Sequence, residues 1–134
     1  MGIFGKEKFN EANEWRTYIK WKIEDASKGK VNCINPNDHF NFLDDTGYKN
    51  QREVMEYDLW AVRRSNLVIV NFNDPKSIGS ACEMAIAYER RIHIIGLCER
   101  NEENTLHPWL KEFCNRIFND REELIAYVIK HYID

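Results

Sequence analysis

Asn66–Ala87 reads NLVIVNFNDPKSIGSACEMAIA. Leu67–Phe72 is a continuous apolar run, the pattern of a central parallel strand covered on both faces. Asp74-Pro75 breaks it with turn chemistry, and a helix is expected from about Gly79 to Arg90. Ser77 and Gly79 fall in the loop, and Glu83 is expected in the first helical turn. Strand, loop and helix in this order bring a hydroxyl, backbone N–H groups and a carboxylate to the carboxyl end of a buried strand. Open α/β sheets bind ligands there.

The flanking segments alternate in the same way. Phe9, Ala12, Trp15, Ile19 and Ile23 recur at helical spacing across Lys8–Lys28, and Gly29 follows as a stop. Lys30–Asn35 (KVNCIN) reads as a strand closed by Pro36, and Ile3–Gly5 as a very short first strand. Residues 37–49 read as a long loop rich in Asn, Asp and aromatics, a length that in compact domains is often functional. Gln51–Arg64 is expected to be helical, Ile92–Leu97 a strand, Pro108–Cys114 a short helix, Arg116–Phe118 an edge strand, and Asp120–Tyr132 a terminal helix capped by Asn119. The alternation predicts a three-layer α/β sandwich with a mostly parallel five-stranded sheet, flavodoxin- or Rossmann-like in order, as one domain over residues 1–134.

Bulk composition narrows the function classes. The chain has 134 residues, 43% hydrophobic and 31% charged, which suits a soluble domain with one core. A formal net charge of -3 offers no electrostatic footprint for a nucleic acid polymer or an anionic membrane. No apolar run approaches the roughly 20 residues of a membrane span, and MGIFGKEKFNEANEW holds no signal-peptide apolar region, so a cytoplasmic location is expected. Cys33, Cys82, Cys98 and Cys114 form no CxxC pair, and three of them fall in expected strands or buried helix as reduced structural thiols. His39, His93, His107 and His131 lack ligand spacing. Neither a metal nor an organic cofactor is expected.

The candidate residues each admit two readings. Ser80-Ala81-Cys82-Glu83 fits the S-x-x-E capping box, which would make Glu83 a structural partner of the helix start. The same carboxylate, held ionised by the helix dipole, could instead serve as a nucleophile. Ser77 and Gly79 could present a hydroxyl and bare amides to a phosphate, or simply form the turn. Asp58, mid-helix in EYDLWAVRRSN, is either a solvated surface acid or the second carboxylate of a glycosidic-bond site. Phe40, Phe42, Tyr48, Trp60 and Trp109 could stack on a planar base, although most aromatics are core.

The run YDLWAVRRSNLVIVNFNDPKSIGSACEMAIAYERRIHIIG resembles the core of the nucleoside 2-deoxyribosyltransferase superfamily. That group pairs D-x-x-x-I/L-x-x-a-D-x-v-v-a with S/D-x-G-[TS]-x-x-E-[ILM]-x-x-A and a following g-k-p-[IV]-i strand. Asp58, Asn66, Ser77, Gly79, Ser80, Glu83 and Ala87 fall on these positions, with Asn66 in place of the usual Asp. VNCINP is similar to the family's second strand end, and HPW and DREELIAYVIKHYI to its closing elements, so the likeness spans about residues 8–133.

The resemblance implies that Glu83 attacks C1′ of a deoxyribose and that Asp58 positions Glu83 or the sugar, or relays protons to the leaving base. Ser77, where transferases on free nucleosides often carry Asp, implies a 5′-monophosphate, with Gly79 and Ser80 beside it. The family's first strand ends in a Tyr and a Gly-rich loop contacting sugar and phosphate; Phe4 and Gly5 stand in that place here, with Lys6 and Lys8 nearby. Phe40 and Trp109 are further candidate substrate contacts, and Trp109 or the Tyr132–Asp134 tail could be the part that completes a neighbour's site. A nucleoside or nucleotide is thus the implied small-molecule partner, with no membrane and no nucleic acid polymer. Family members assemble as dimers or larger, which implies a homo-oligomer whose neighbouring C-terminal region completes the site. Two other functions remain open: an NAD glycohydrolase of the TIR type, which shares the layered fold and a helix-borne glutamate, and a nucleotide-binding module without turnover.

Overall fold

The computed structural model describes residues 6–34, 51–73, 76–100 and 103–133. Two compact units emerge from the chain's own contacts, Met1–Glu56 with Ile125–Asp134, and Tyr57–Leu124.

In the first unit, α1 (Lys6–Ser27) carries Ile19 and Ile23 one turn apart, both buried, and packs against the closing π turn Ile129–Ile133. It ends as its sequence demands. Lys28 and Gly29 take left-handed backbone at φ 54° and 83°, where glycine carries no Cβ penalty, and Gly29 N–H donates to Glu24 O. The strand expected over Lys30–Asn35 is absent from its described part, residues 30–34. The physical reason is a competition for amides. Val31 N–H donates to Ser27 Oγ at 3.1 Å and Cys33 N–H to Glu24 Oε2 at 2.9 Å, so side chains of α1 hold the donors that a strand ladder would use.

The second unit is built on a parallel sheet. Its strands are β1 (Leu67–Asn71), β2 (His93–Leu97) and β3 (Arg116–Phe118), in the order β1-β2-β3. Val70 lies opposite Gly96, and Gly96 opposite Ile117. Five strands were expected, and the described residues form three: Ile3–Gly5 lies outside them and residues 30–34 are bonded elsewhere. Both strand connections are helical crossovers, α3 (Ile78–Glu89) between β1 and β2 and α4 (Pro108–Phe113) between β2 and β3. α2 (Gln51–Arg64) leads into β1, and α5 (Arg121–Val128) follows β3.

Alternation along the strands assigns the faces. Val68 and Val70 of β1 with Phe72 just after it, Ile94 of β2 with Cys98 just after it, and Ile117 of β3 join one core with Val62 of α2, Met84 and Ala87 of α3, and Leu110 and Phe113 of α4. Met84, Ala87 and Ile94 are fully buried. Gly96 is required in that layer, because a Cβ there would sit 2.5 Å from Phe72 Cε2 and 3.3 Å from Cys114 Sγ.

The carboxyl ends of β2 and β3 are tied together. Cys98 N–H donates to Phe118 O at 2.7 Å, Asn119 Nδ2 donates to Cys98 O at 3.0 Å, and Arg121 grips Glu99 through Nε at 2.8 Å and a terminal nitrogen at 2.9 Å. Asn119 is therefore not the cap of the last helix. Asp120 is, its carboxylate accepting from Glu123 N–H at 3.1 Å. That helix ends at Val128 and passes into the π turn instead of continuing to Tyr132. All four cysteines are free thiols, but Cys82 is exposed and Cys98 alone is wholly inside. Among the described residues, no helix is long and apolar enough to cross a membrane.

Candidate active site

α3 opens three residues earlier than a capping box would place it. Its N-cap is Ser77, in extended backbone at φ -66° and ψ 114°. Ser77 Oγ accepts from Ser80 N–H at 3.2 Å, and Ser77 O accepts from Ala81 N–H at 3.2 Å. Ser80 therefore sits inside the helix, and no acidic residue lies in its first turn. The capping-box reading of Glu83 fails on this geometry: its side chain stands in the second turn, away from the N-cap amide. The same fact moves Glu83 beyond the first turn, where the helix dipole is strongest.

Glu83 is half-buried between Ser80, one turn above, and fully buried Ala87, one turn below. It flanks the sheet-facing side of α3 next to buried Met84. Ser77, Gly79, Ser80 and Glu83 are thus gathered within two turns at the carboxyl edge of β1. A Cβ placed on Gly79 would meet nothing within 4 Å, so packing does not demand glycine and the space above this turn is open. The N–H groups of Ile78 and Gly79 lie in the first turn, where the intrahelical ladder has no acceptor for them. The turn therefore offers one serine hydroxyl and two amides to an anion.

Asp58 comes from α2. It shares a stripe with Val54, Ala61 and Val62, all buried, and is the charged member of that stripe. The residue is half-buried and its Oδ1 is shut off from solvent. Because Val62 belongs to the same core as Met84 and Ala87, α2 and α3 lie on one face of the sheet, and both candidate carboxylates come from that face.

Trp109 is the second residue of α4, 71% exposed. Pro108 fills the first helical position, and His107 caps the helix, its Nδ1 accepting from Trp109 N–H at 3.1 Å. Tyr88 and Phe113, near the C-terminal ends of α3 and α4, lie 5.4 Å apart, so the two helices run side by side with both N-termini toward the carboxyl edge. Trp109 therefore shares that edge with Ser77 and Gly79. Phe4, Gly5 and Phe40, with Phe42 and Tyr48, lie outside the described residues.

One polar group at this edge escaped sequence reasoning. Asn71 closes β1; its Oδ1 accepts from Asn73 N–H at 2.8 Å, and its buried Nδ2 has no hydrogen-bond partner among the described residues. The signal was a lone amide at the end of an apolar strand.

The fold, in three dimensions, is similar to that of solved proteins. The chain resembles a conserved protein from Enterococcus faecalis V583, with a TM-score of 0.72 at 16% identity over 87% of this chain and 88% of that one. It also resembles BcmB, a CMP N-glycosidase of Clostridium botulinum. That likeness has a TM-score of 0.63 at 18% identity, covering 92% of this chain and 93% of the other. At such identities the likeness establishes the Rossmann-like α/β fold. No family model matches the chain, and no curated protein matches it in sequence.

Proposed function

We propose that the chain belongs to the nucleoside 2-deoxyribosyltransferase superfamily and cleaves the N-glycosidic bond of a 2′-deoxynucleoside or a nucleoside 5′-monophosphate. The observation that carries this reading is the position of Glu83. With Ser77 as the N-cap of α3, Glu83 stands in the second turn, half-buried below an open, amide-lined first turn. The fold shared with a CMP N-glycosidase supports the same chemistry.

In this account the phosphate rests against the Ser77 hydroxyl and the first amides of α3. A Glu83 oxygen attacks C1′ as the C1′–N bond breaks, and the bonding pair leaves with the base, which is protonated as it departs. The product is a glycosyl ester on Glu83. Water then attacks C1′, gives up a proton and releases the sugar phosphate with Glu83 again a carboxylate; a second base in place of water would complete a transfer. Asp58 holds the sugar or handles the proton, and Trp109 lies against the base. Phe4, Gly5 and Phe40 are the remaining proposed contacts. A single functional domain, a homo-oligomer and a cytoplasmic location belong to this proposal.

Chromatography tests it. The chain is incubated with each nucleoside and deoxynucleoside 5′-monophosphate, the free nucleosides and NAD, with and without an acceptor base. Free base that is lost in Glu83→Gln supports the reading. Nicotinamide release from NAD alone would favour the TIR-type reaction, and no release from any substrate would leave a binding module.

A further inference from the structure

The amino edge of the three-stranded sheet, opposite the candidate active site, concentrates positive charge. Chain direction brings to it Arg63 and Arg64 from the end of α2, Arg90 and Arg91 after α3, Lys111 from the last turn of α4, and Arg116 at the start of β3. All six are exposed, and the carboxylates of the adjoining helix ends are Glu89 and Glu112. Among the described residues Arg63, Arg90, Arg91 and Lys111 enter no ion pair. Arg64 lies 5.0 Å over the Trp60 ring and Arg116 4.8 Å over that of Phe118.

The helix dipole accounts for any one of these cations at a helix C-terminus. It does not account for an exposed aromatic among them. Tyr88 is 57% exposed, its ring 5.4 Å from Phe113, and beside the pair a cavity of about 550 Å³ opens between the ends of α3 and α4. Arg91 and Asn115 line it too, together with the carboxylates Glu89 and Glu112.

We propose that this edge binds single-stranded nucleic acid, with a base stacked on Tyr88 and successive phosphates on Arg63, Arg90 and Arg91. Unpaired guanidinium groups beside an exposed aromatic face are the two elements of sequence-tolerant strand binding. The cations span the ends of three neighbouring helices, each roughly 10 Å from the next, which is wider than one nucleotide and suits several phosphates in a row. An acidic peptide would use the cations but has no need of the ring. The overall charge of -3 conceals this surface, where six exposed cations stand against Glu89 and Glu112.

Fluorescence anisotropy with an end-labelled single-stranded 12-mer at low salt, in RNA and DNA forms, tests the assignment. Binding is expected to weaken steeply as salt rises, because each neutralised phosphate adds about -0.7 to the log–log slope. Tyr88→Ala should weaken it about fivefold or more, the loss of one stacked base. R63A/R90A should weaken it and flatten the salt slope; Arg91 is left in place because of its left-handed backbone at φ 59°. Circular dichroism confirms that each variant is folded. No binding at low salt, a Tyr88→Ala variant that binds as well as the parent, or polyglutamate competing as strongly as the oligonucleotide would each overturn the proposal.

Discussion

The hydroxyl of Ser77 accepts the amide hydrogen of Ser80 at 3.2 Å, so Ser77 is the N-cap of α3 and the Glu83 carboxylate, six positions on, stands in the second turn. Stability and turnover should therefore separate. Ser77→Ala is expected to lower unfolding stability by about 1 kcal/mol in a urea titration, the ordinary cost of a lost N-cap. Ser77→Asp should keep the cap yet repel an anionic substrate, raising KM for a 5′-monophosphate more than for the free nucleoside. Equal effects on both substrates would remove Ser77 from the phosphate site.

Gly96 and Phe72 define the tightest point of the core. Gly96→Ala inserts a methyl group 2.5 Å from Phe72 Cε2, with Cys114 Sγ only 3.3 Å away on another side. Overpacking of this kind costs about 1–3 kcal/mol. The urea midpoint of Gly96→Ala should fall accordingly, and adding Phe72→Leu should restore part of the loss. A neutral Gly96→Ala would mean that β2 and Phe72 are not packed as described.

Two thiols tie stability to alkaline pH. Burial pushes the Cys114 thiol up to about 12, and burial aided by the Glu24 carboxylate pushes Cys33 up to about 11, both from an ordinary 9.0. Raised values favour the protonated thiol in the fold. The contribution is fully present below pH 9 and is lost as pH climbs through 11 to 12, because the unfolded chain ionises first. Urea midpoints should hold up to about pH 9 and then decline. Iodoacetamide at pH 8.5 should modify exposed Cys82 before Cys33 or Cys114; the opposite order would contradict the packing.

Much of the second unit was legible in the chain. Leu67–Phe72, the helical run after Gly79 and the short IHIIGL segment carry periods and turn residues that agree with their neighbours. Observed bounds there coincide with the expected ones or differ by a single residue, except at the end of the last helix. What misled was side-chain competition for backbone groups. KVNCIN has the composition of a strand, yet Glu24 and Ser27 take two of its amides. Ser77, Ser80, Asn119 and Asp120 are all chemically able caps, and spacing alone cannot tell which carbonyl turns first. Glu83 and Asp58 were visible as candidates because their motif is distinctive. The buried faces that make them plausible partners required the packing of Val62 with Met84 and Ala87.

The central claim is that Glu83 is a nucleophile. Its most direct test is mass spectrometry of the protein quenched during turnover of a nucleoside 5′-monophosphate, in parallel with chromatography of the released base. The account predicts base release together with a sugar-phosphate adduct on the peptide holding Glu83, and neither in a folded Glu83→Gln variant. Base release that persists in Glu83→Gln, with no adduct on that peptide, would contradict it.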